Sequence, residues 1–464
     1  MAEKILFLTG SLAEKPLIRV LEEMSADSFE WRVHNLGLKV AGLMTADMIQ
    51  RRLDDIGDAQ RILVPGRCRG DLDALSAHFG IPVERGPEEL MDLPRFFGKE
   101  GKAPDLSGYD VRIFAEIVDA PNLSVEEILL RAEAYAADGA DVIDLGCLPE
   151  TPFPHLADSV KALKAAGYRV SVDSMQSDEL LAGGAAGADF LLSLHEENLW
   201  IADQVASTPV LIPARSGELG SLKRAMRLLD EKGRAYIADP ILDPIHFGFT
   251  DAIVRYHRLR EDYPDVEIMM GVGNITELTE ADTNGMNALL MGIISELRIT
   301  NILATQVSPH CRSAVREADV ARRIMYWARR ERSLPKQIDP RLTGLHEIKP
   351  FPYSANQIRE LAAEIRDPNY RIQVSGEGIH VYNRDGLATH HDPFDFYPAL
   401  GVEADGGHAF YLGVELARAQ IARQLGKRYV QDQPLRWGAA LAEPEQDLSQ
   451  QDAPGTTKQR RKSP

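Results

Sequence analysis

A strand-like apolar run followed by a stretch of helical periodicity recurs eight times between residues 111 and 333, and few folds accept that arrangement. The runs are "VRIFAEIV", "DVIDLGC", "YRVSVDS", "DFLLSL", "PVLIPA", "AYIADP", "VEIMMGVGN" and "NILATQ". After them come stretches such as "SVEEILLRAEAYAADG", "HLADSVKALKAAG", "ENLWIADQVAS" and "LGSLKRAMRLLDEKG", which carry the helical period. Eight such repeats over ~220 residues match the count and length of a (βα)8 barrel. The runs are rich in Val, Ile and Leu with little alternation, as when both faces of a parallel sheet are covered. A doubly wound open sheet is the alternative, but it rarely runs to eight uninterrupted repeats. The expected fold class is α/β: a central (βα)8 TIM barrel flanked by a small N-terminal α/β domain and a small C-terminal α+β domain.

The flanks read differently. In residues 1–105, "KILFLTG", "RILVPG" and "IPVERG" read as strands, and "EKPLIRVLEEM" and "DLDALSAHFG" as helices of a small open α/β layer. The barrel is assigned to 106–333 and a proline-rich linker to 334–352. A C-terminal α+β domain spans 353–438, with a helix, "SANQIRELAAEIRD", and a hairpin turning at "GEG". Residues 439–464 lack apolar content and are expected to be disordered.

Composition narrows the function classes. The chain of 464 residues carries a net charge of −18. Such a field repels nucleic acid and anionic membranes, so neither is expected as a partner. Three scattered cysteines, Cys68, Cys147 and Cys311, argue against a disulfide framework and a zinc site and suit a reducing cytoplasm. "MAEKILFLTG" has no long apolar core, and no 18-residue apolar run occurs, so a soluble cytoplasmic protein is expected.

The chemistry gathers at the ends of the barrel runs. Asp144, Asp173, Ser193, Asp239, Asn274 and Gln306 all stand there, and barrel sites are built from the C-terminal ends of several strands. One strand-end aspartate often caps the next helix. A set of five or six with no Lys or Arg beside them suits a neutral ligand rich in N–H donors. An aminopyrimidinone edge fits, because its ring N–H and exocyclic NH₂ can donate two parallel bonds to one carboxylate.

"ADGADVIDLG", "VSVDS", "GGAAGADFLLSL", "YIADPILDP" and "GVGNIT" resemble the pterin-binding barrel of dihydropteroate synthases and pterin-dependent methyltransferases. The resemblance implies Asp173, Asp239 and Asn274 as pterin ligands, with Asp144 and Ser193 in the same pocket and Asp243 as a loop residue. The whole chain resembles the dihydropteroate synthase-like proteins of organisms that make tetrahydromethanopterin. That resemblance implies a transferase that condenses dihydropterin-6-methyl diphosphate with 4-(β-D-ribofuranosyl)aminobenzene 5′-phosphate and releases pyrophosphate. The pterin is substrate, Mg²⁺ balances the leaving charge, and a homodimer is compatible with this reading.

The chain also departs from that pattern. "FLLSL" replaces a strand-end asparagine, "GVGNIT" replaces a basic segment, and "TQVSPHCR" holds His310 and Arg312 out of place. Arg215 in "LIPARSG" matches an arginine of the family and is assigned, with His310 and Arg312, to a phosphate or the second substrate. "YIADPILDP" with "GVGN" also favours a corrinoid-linked methyltransferase, and the missing basic residues favour a non-catalytic pterin carrier. No catalytic acid or base is assigned. Elsewhere, "PGRCRGD" offers Arg67 and Arg69 to an anion, or simply Asp71 as a helix cap. "THHD" at 389–392 with His380 reads as a turn rather than a metal site, so no metal ligands are assigned.

Overall fold

The computed structural model describes residues 2–24, 29–99, 104–347 and 349–441. The tail expected to be disordered falls outside the described residues from 442 onward. By packing, the chain divides into two compact units, Met1–Asp110 with Arg322–Asp339, and Val111–Ala321 with Pro340–Pro464. The segment Arg322–Asp339, which includes the last turns of the helix Ala314–Arg330, packs with the N-terminal residues, and the C-terminal portion groups with the barrel.

The N-terminal unit is a parallel sheet of β1 (Glu3–Thr9), β2 (Phe29–Asn35), β3 (Arg61–Val64) and β4 (Val83–Arg85), in the order β2-β1-β3-β4. β2 is not foreseen from the sequence, because its apolar residues Phe29, Trp31 and Val33 alternate with polar ones at the sheet edge instead of forming a run. Asp71 accepts from the amides of Asp73 and Ala74 and caps the helix Leu72–Phe79, which settles its role as a cap.

All eight barrel strands form where the apolar runs stand: β5 (Arg112–Ile117), β6 (Val142–Gly146), β7 (Val170–Asp173), β8 (Phe190–Leu194), β9 (Thr208–Leu211), β10 (Ile237–Ala238), β11 (Met269–Gly271) and β12 (Asn301–Thr305). They pair in parallel in the order β10-β9-β8-β7-β6-β5-β12-β11. The ring closes through one further parallel bridge, Ala238 to Ile268, with the Ala238 amide donating to the Glu267 carbonyl at 2.9 Å. β10 and β11 are the shortest strands, and the seam lies between them. The first barrel helix, Val125–Ala137, opens with a capping box of Ser124 and Glu127. One expected helix is missing: after β8 the chain makes only a 3-10 turn, Leu199–Asp203. Its buried Leu199 and Ala202 hold the i, i+3 spacing for that one turn, and β9 begins at Thr208, so little chain is left for a longer helix.

In the C-terminal portion, β13 (Arg371–Ser375), β14 (Gly378–Asn383) and β15 (Gly386–His390) form an antiparallel sheet. The helix Gly406–Leu425 packs its Leu412, Leu416 and Ala419 into one core with Ile372, Val374 and Val381. Thr389 and His390 belong to β15, not to a loop as the sequence suggested. His380 is fully buried and shares hydrogen bonds with the hydroxyls of Ser375 and Thr389.

Candidate functional site

Strand parity builds the site. Alternate residues of a strand face the same side, and one set of alternates forms an apolar cluster: Phe114, Val142, Phe190, Leu192, Val210, Ile237 and Met269, with Leu303 against it. Two residues further along β5, β6, β10 and β12, the same face carries Glu116, Asp144, Asp239 and Thr305. The register aligns Thr305 with Glu116, Glu116 with Asp144, and Asp144 with Ser171 across four neighbouring strands. A polar layer therefore lies directly above the apolar plug, at the C-terminal ends of the strands.

The layer is acidic. Ligand oxygens of Glu116, Asp144 and Asp173 all lie within 4.8 Å of one another. Asp144 is fully buried; its Oδ1 accepts from the Ser171 hydroxyl, while its Oδ2 has no partner. Asp173 accepts from the Ser193 hydroxyl at 2.6 Å. Burial, and then the charges of Asp173 and Glu277, push Glu116 up to about 7. Burial, then Asp173 and Glu116, raise Asp144 well above the usual carboxylate range, and burial also raises Asp173 against the opposing Ser193 bond. Glu277 behaves otherwise: burial pushes it up, but donors from Ser308 and the Val307 amide more than offset this and hold it below its usual value. A Cβ at Gly146, at the end of β6, would sit 2.6 Å from Oε1 of Glu116 and displace that carboxylate.

The loop after β10 is wound tightly. Asp239 Oδ1 accepts from the Ile241 amide at 2.7 Å and from the Tyr256 hydroxyl at 2.8 Å. The first is the self-closing turn that Asp makes with the backbone two residues on, and it places Ile241 at φ +65°, strained for a β-branched side chain. Arg255, buried beneath, donates to the Ile241 carbonyl and pairs with Asp243, which also accepts from Ser216. Asp243 is thus a clamp on the loop. Oδ2 of Asp239 is left to the mouth, and burial raises this carboxyl to about 6 despite the Tyr256 and Ile241 bonds. Ser193 is likewise strained, at φ +70° beside a register shift between β8 and β9, and that twist turns its hydroxyl onto Asp173.

The remaining candidates divide. Asn274 is exposed and donates to the Leu242 carbonyl, tying the β11 loop to the β10 loop. Gln306 accepts from the Val315 amide at the start of the last barrel helix, a capping role. Arg215 and Arg312 are exposed, and no hydrogen bond or ion pair holds either side chain among the described residues. His310 Nε2 lies 3.1 Å from the Thr276 carbonyl, so that ring nitrogen is engaged within the protein. Arg67 pairs with Glu88 and Glu89. Cys311 donates to the Thr276 carbonyl, and burial, then Glu277, push its thiol up to about 12; burial also raises Cys147. Neither is an activated nucleophile. Sequence reasoning misses Glu116. It lies one residue short of the end of its strand, and only its parity with Phe114 marks it as facing inward.

A cavity of about 500 Å³ lies within the N-terminal unit. It opens at the carboxyl ends of β1 and β3, beside Thr9, Val64 and Pro65. These two strands flank the point where the strand order reverses, the usual crevice of a doubly wound sheet.

Residues 3–88 match the model of a family of unknown function, DUF6513. The uncharacterized protein MJ0107 of Methanocaldococcus jannaschii is 26% identical, over 92% of this chain and 98% of that protein. Among solved structures, 7,8-dihydropteroate synthase of Vibrio fischeri is similar at a TM-score of 0.39 and 12% identity, covering 49% of this chain and 96% of its own. Dihydropteroate synthase of Yersinia pestis in a sulfonamide drug complex gives 0.39 and 15%, over 49% and 96%. A Coxiella burnetii dihydropteroate synthase in complex with pteroic acid gives 0.38 and 17%, over 48% and 94%. The barrel itself is established by its own strand pairing. No described helix is long and apolar enough to cross a membrane.

Proposed function

We propose that the barrel mouth binds a pterin and that the protein is a dihydropteroate synthase-like transferase. The observation that carries this reading is Asp239: a carboxylate at the mouth with one oxygen locked by Tyr256 and Ile241 and the other free to accept N–H donors. A pterin presents such donors on one edge, and a charged acceptor makes the stronger bond to them. Because Oδ1 already takes two protein bonds, Oδ2 carries most of the ligand contact. Asp173 and Ser193 supply the opposite wall, Asp144 lies beneath them, and Asn274 offers an amide at the rim.

In the finer reading, the pterin carries a 6-methyl diphosphate and the second substrate is the ribosylated arylamine phosphate. The amine nitrogen bonds to the methylene carbon as the carbon–oxygen bond to the diphosphate breaks, and the nitrogen gives up a proton. Holding both reactants in line supplies much of the rate. The unpaired guanidinium groups of Arg215 and Arg312, on the loops after β9 and β12, suit the phosphate charges. The deciding experiment incubates the full chain with both substrates and measures pyrophosphate. Release that requires both supports this reading; methyl transfer to a corrinoid without pyrophosphate replaces it with the methyltransferase, and pterin binding without either product leaves a carrier.

A further inference from the structure

We propose that Glu116, Asp144 and Asp173 hold one divalent cation of the hard, oxygen-preferring class: Mg²⁺, Mn²⁺ or Ca²⁺. The three come from the adjacent strands β5, β6 and β7, and their nearest oxygens lie within 4.8 Å of one another. With no separation above 4.8 Å, an ion can sit within about 2.8 Å of all three atoms, so a slight contraction reaches metal–oxygen bonds of about 2.0–2.6 Å. The donors are all carboxylate oxygens, with no sulfur or imidazole among them, which selects against zinc and copper.

A separate observation points to a ligand. Asp144 is fully buried, yet its Oδ2 has no hydrogen-bond partner, although buried polar atoms rarely go without one. Thr305 Oγ1, aligned with Glu116 on the neighbouring strand, is also buried and unpartnered. No arginine or lysine pairs with any of the three carboxylates among the described residues, so nothing in the protein neutralises them. A dication does so and occupies the orphan lone pairs; water completes its shell. Asp144 and Asp173 are shared with the pterin pocket proposed above, but the cation site rests on the strand geometry and not on that reading.

The test uses the full chain, stripped with a chelator and dialysed, titrated calorimetrically near neutral pH with MgCl₂, MnCl₂ and CaCl₂ in turn, without pterin. One ion per chain is expected for at least one of the salts, with a rise in melting temperature. Asp144→Asn and Glu116→Gln should each weaken binding by about tenfold or more. Melting of the stripped variants is measured alongside; with a like charge removed, neither should melt below the stripped parent. If one variant fails to fold, the other supplies the comparison. The proposal falls if no salt binds or shifts melting, or if an ion binds equally well to the folded variants, which would place it on the acidic surface. Pterin affinity is measured on separate samples, so the loss of one site leaves the other standing.

Discussion

The barrel mouth and the cavity of the N-terminal unit both open at the carboxyl ends of parallel strands, and they treat charge in opposite ways. At the mouth, Glu116, Asp144 and Asp173 crowd together, no Lys or Arg among the described residues pairs with them, and burial drives them toward protonation. Around the cavity the charges are matched: Arg19 with Glu331, Arg67 with Glu88 and Glu89, Lys336 with Glu89. A region whose charges are satisfied internally asks little of a ligand, whereas one that leaves like charges buried depends on protons, a cation or a donor-rich molecule. Backbone strain does not divide the same way: Ser193 and Ile241 sit at the mouth, and Gln337, at φ +57°, lines the cavity.

The largest effect is expected where the mouth does contain a matched pair. Arg255→Met leaves the Ile241 carbonyl without its donor and Asp243 without its cation, both under a strained loop. Removing one partner of a buried pair costs about 3–5 kcal/mol, to be read by urea unfolding at neutral pH. A loss below about 1 kcal/mol would mean that the loop does not need its clamp.

Next is Asp239→Asn. The amide oxygen still accepts from Tyr256 and Ile241, so the melting temperature should hold. The NH₂ then replaces Oδ2 and meets the ligand's own donors, at a cost of roughly 2–4 kcal/mol in dihydropterin affinity, or about 30- to 1,000-fold. Calorimetry that finds parental affinity would make Asp239 a turn residue and nothing more.

A pH series separates the mouth from the ion-paired surface. In the native chain Glu116 is raised to about 7 and Asp239 to about 6, from ordinary values of 4.5 and 3.8. Between about pH 4 and 7 the folded state therefore binds more protons than the unfolded chain, and stability falls as pH rises through that window. Paired carboxylates such as Asp367, which the Arg371 hydrogen bond holds at about 2, act the other way: their stabilisation is present above about pH 4 and is lost as pH falls toward 2. Melting in chelator should thus decline from pH 5 to 7 by a few degrees. A flat profile would show that the mouth relaxes its repulsion without titrating.

The smallest effect belongs to the cavity, where Ser333 Oγ is buried without a partner. Ser333→Ala removes an unsatisfied hydroxyl and should leave stability unchanged or raise it by up to about 1 kcal/mol. A drop in melting temperature would show that the hydroxyl is satisfied in solution, narrowing the contrast with the mouth.

Much of this was legible in the chain itself. The eight apolar runs became the eight strands because a strand buried on both faces has no polar alternation to hide it. The strand-end aspartates, Ser193 and Asn274 stand out because polar residues at the tips of such runs are conspicuous. The readings that failed were those where context outweighs local pattern. β2 alternates on a sheet edge, "ENLWIADQVAS" keeps its helical spacing for only one 3-10 turn before β9 begins, and Thr389 and His390 joined β15 through pairing with β14.

The sequence alone thus determined the order of elements, the parallel barrel and which residues stand at its strand ends, because these depend on the spacing of apolar side chains along one chain. Only the tertiary structure decided which carboxylates meet. Glu116, Asp144 and Asp173 are separated by a helix each in sequence and become neighbours only when the register of β5, β6 and β7 sets them side by side. It likewise decided that one oxygen of Asp239 is spent on the Ile241 amide and the Tyr256 hydroxyl. Electrostatic energy depends on distances through space and on the water excluded around each charge, and neither quantity is written along the chain.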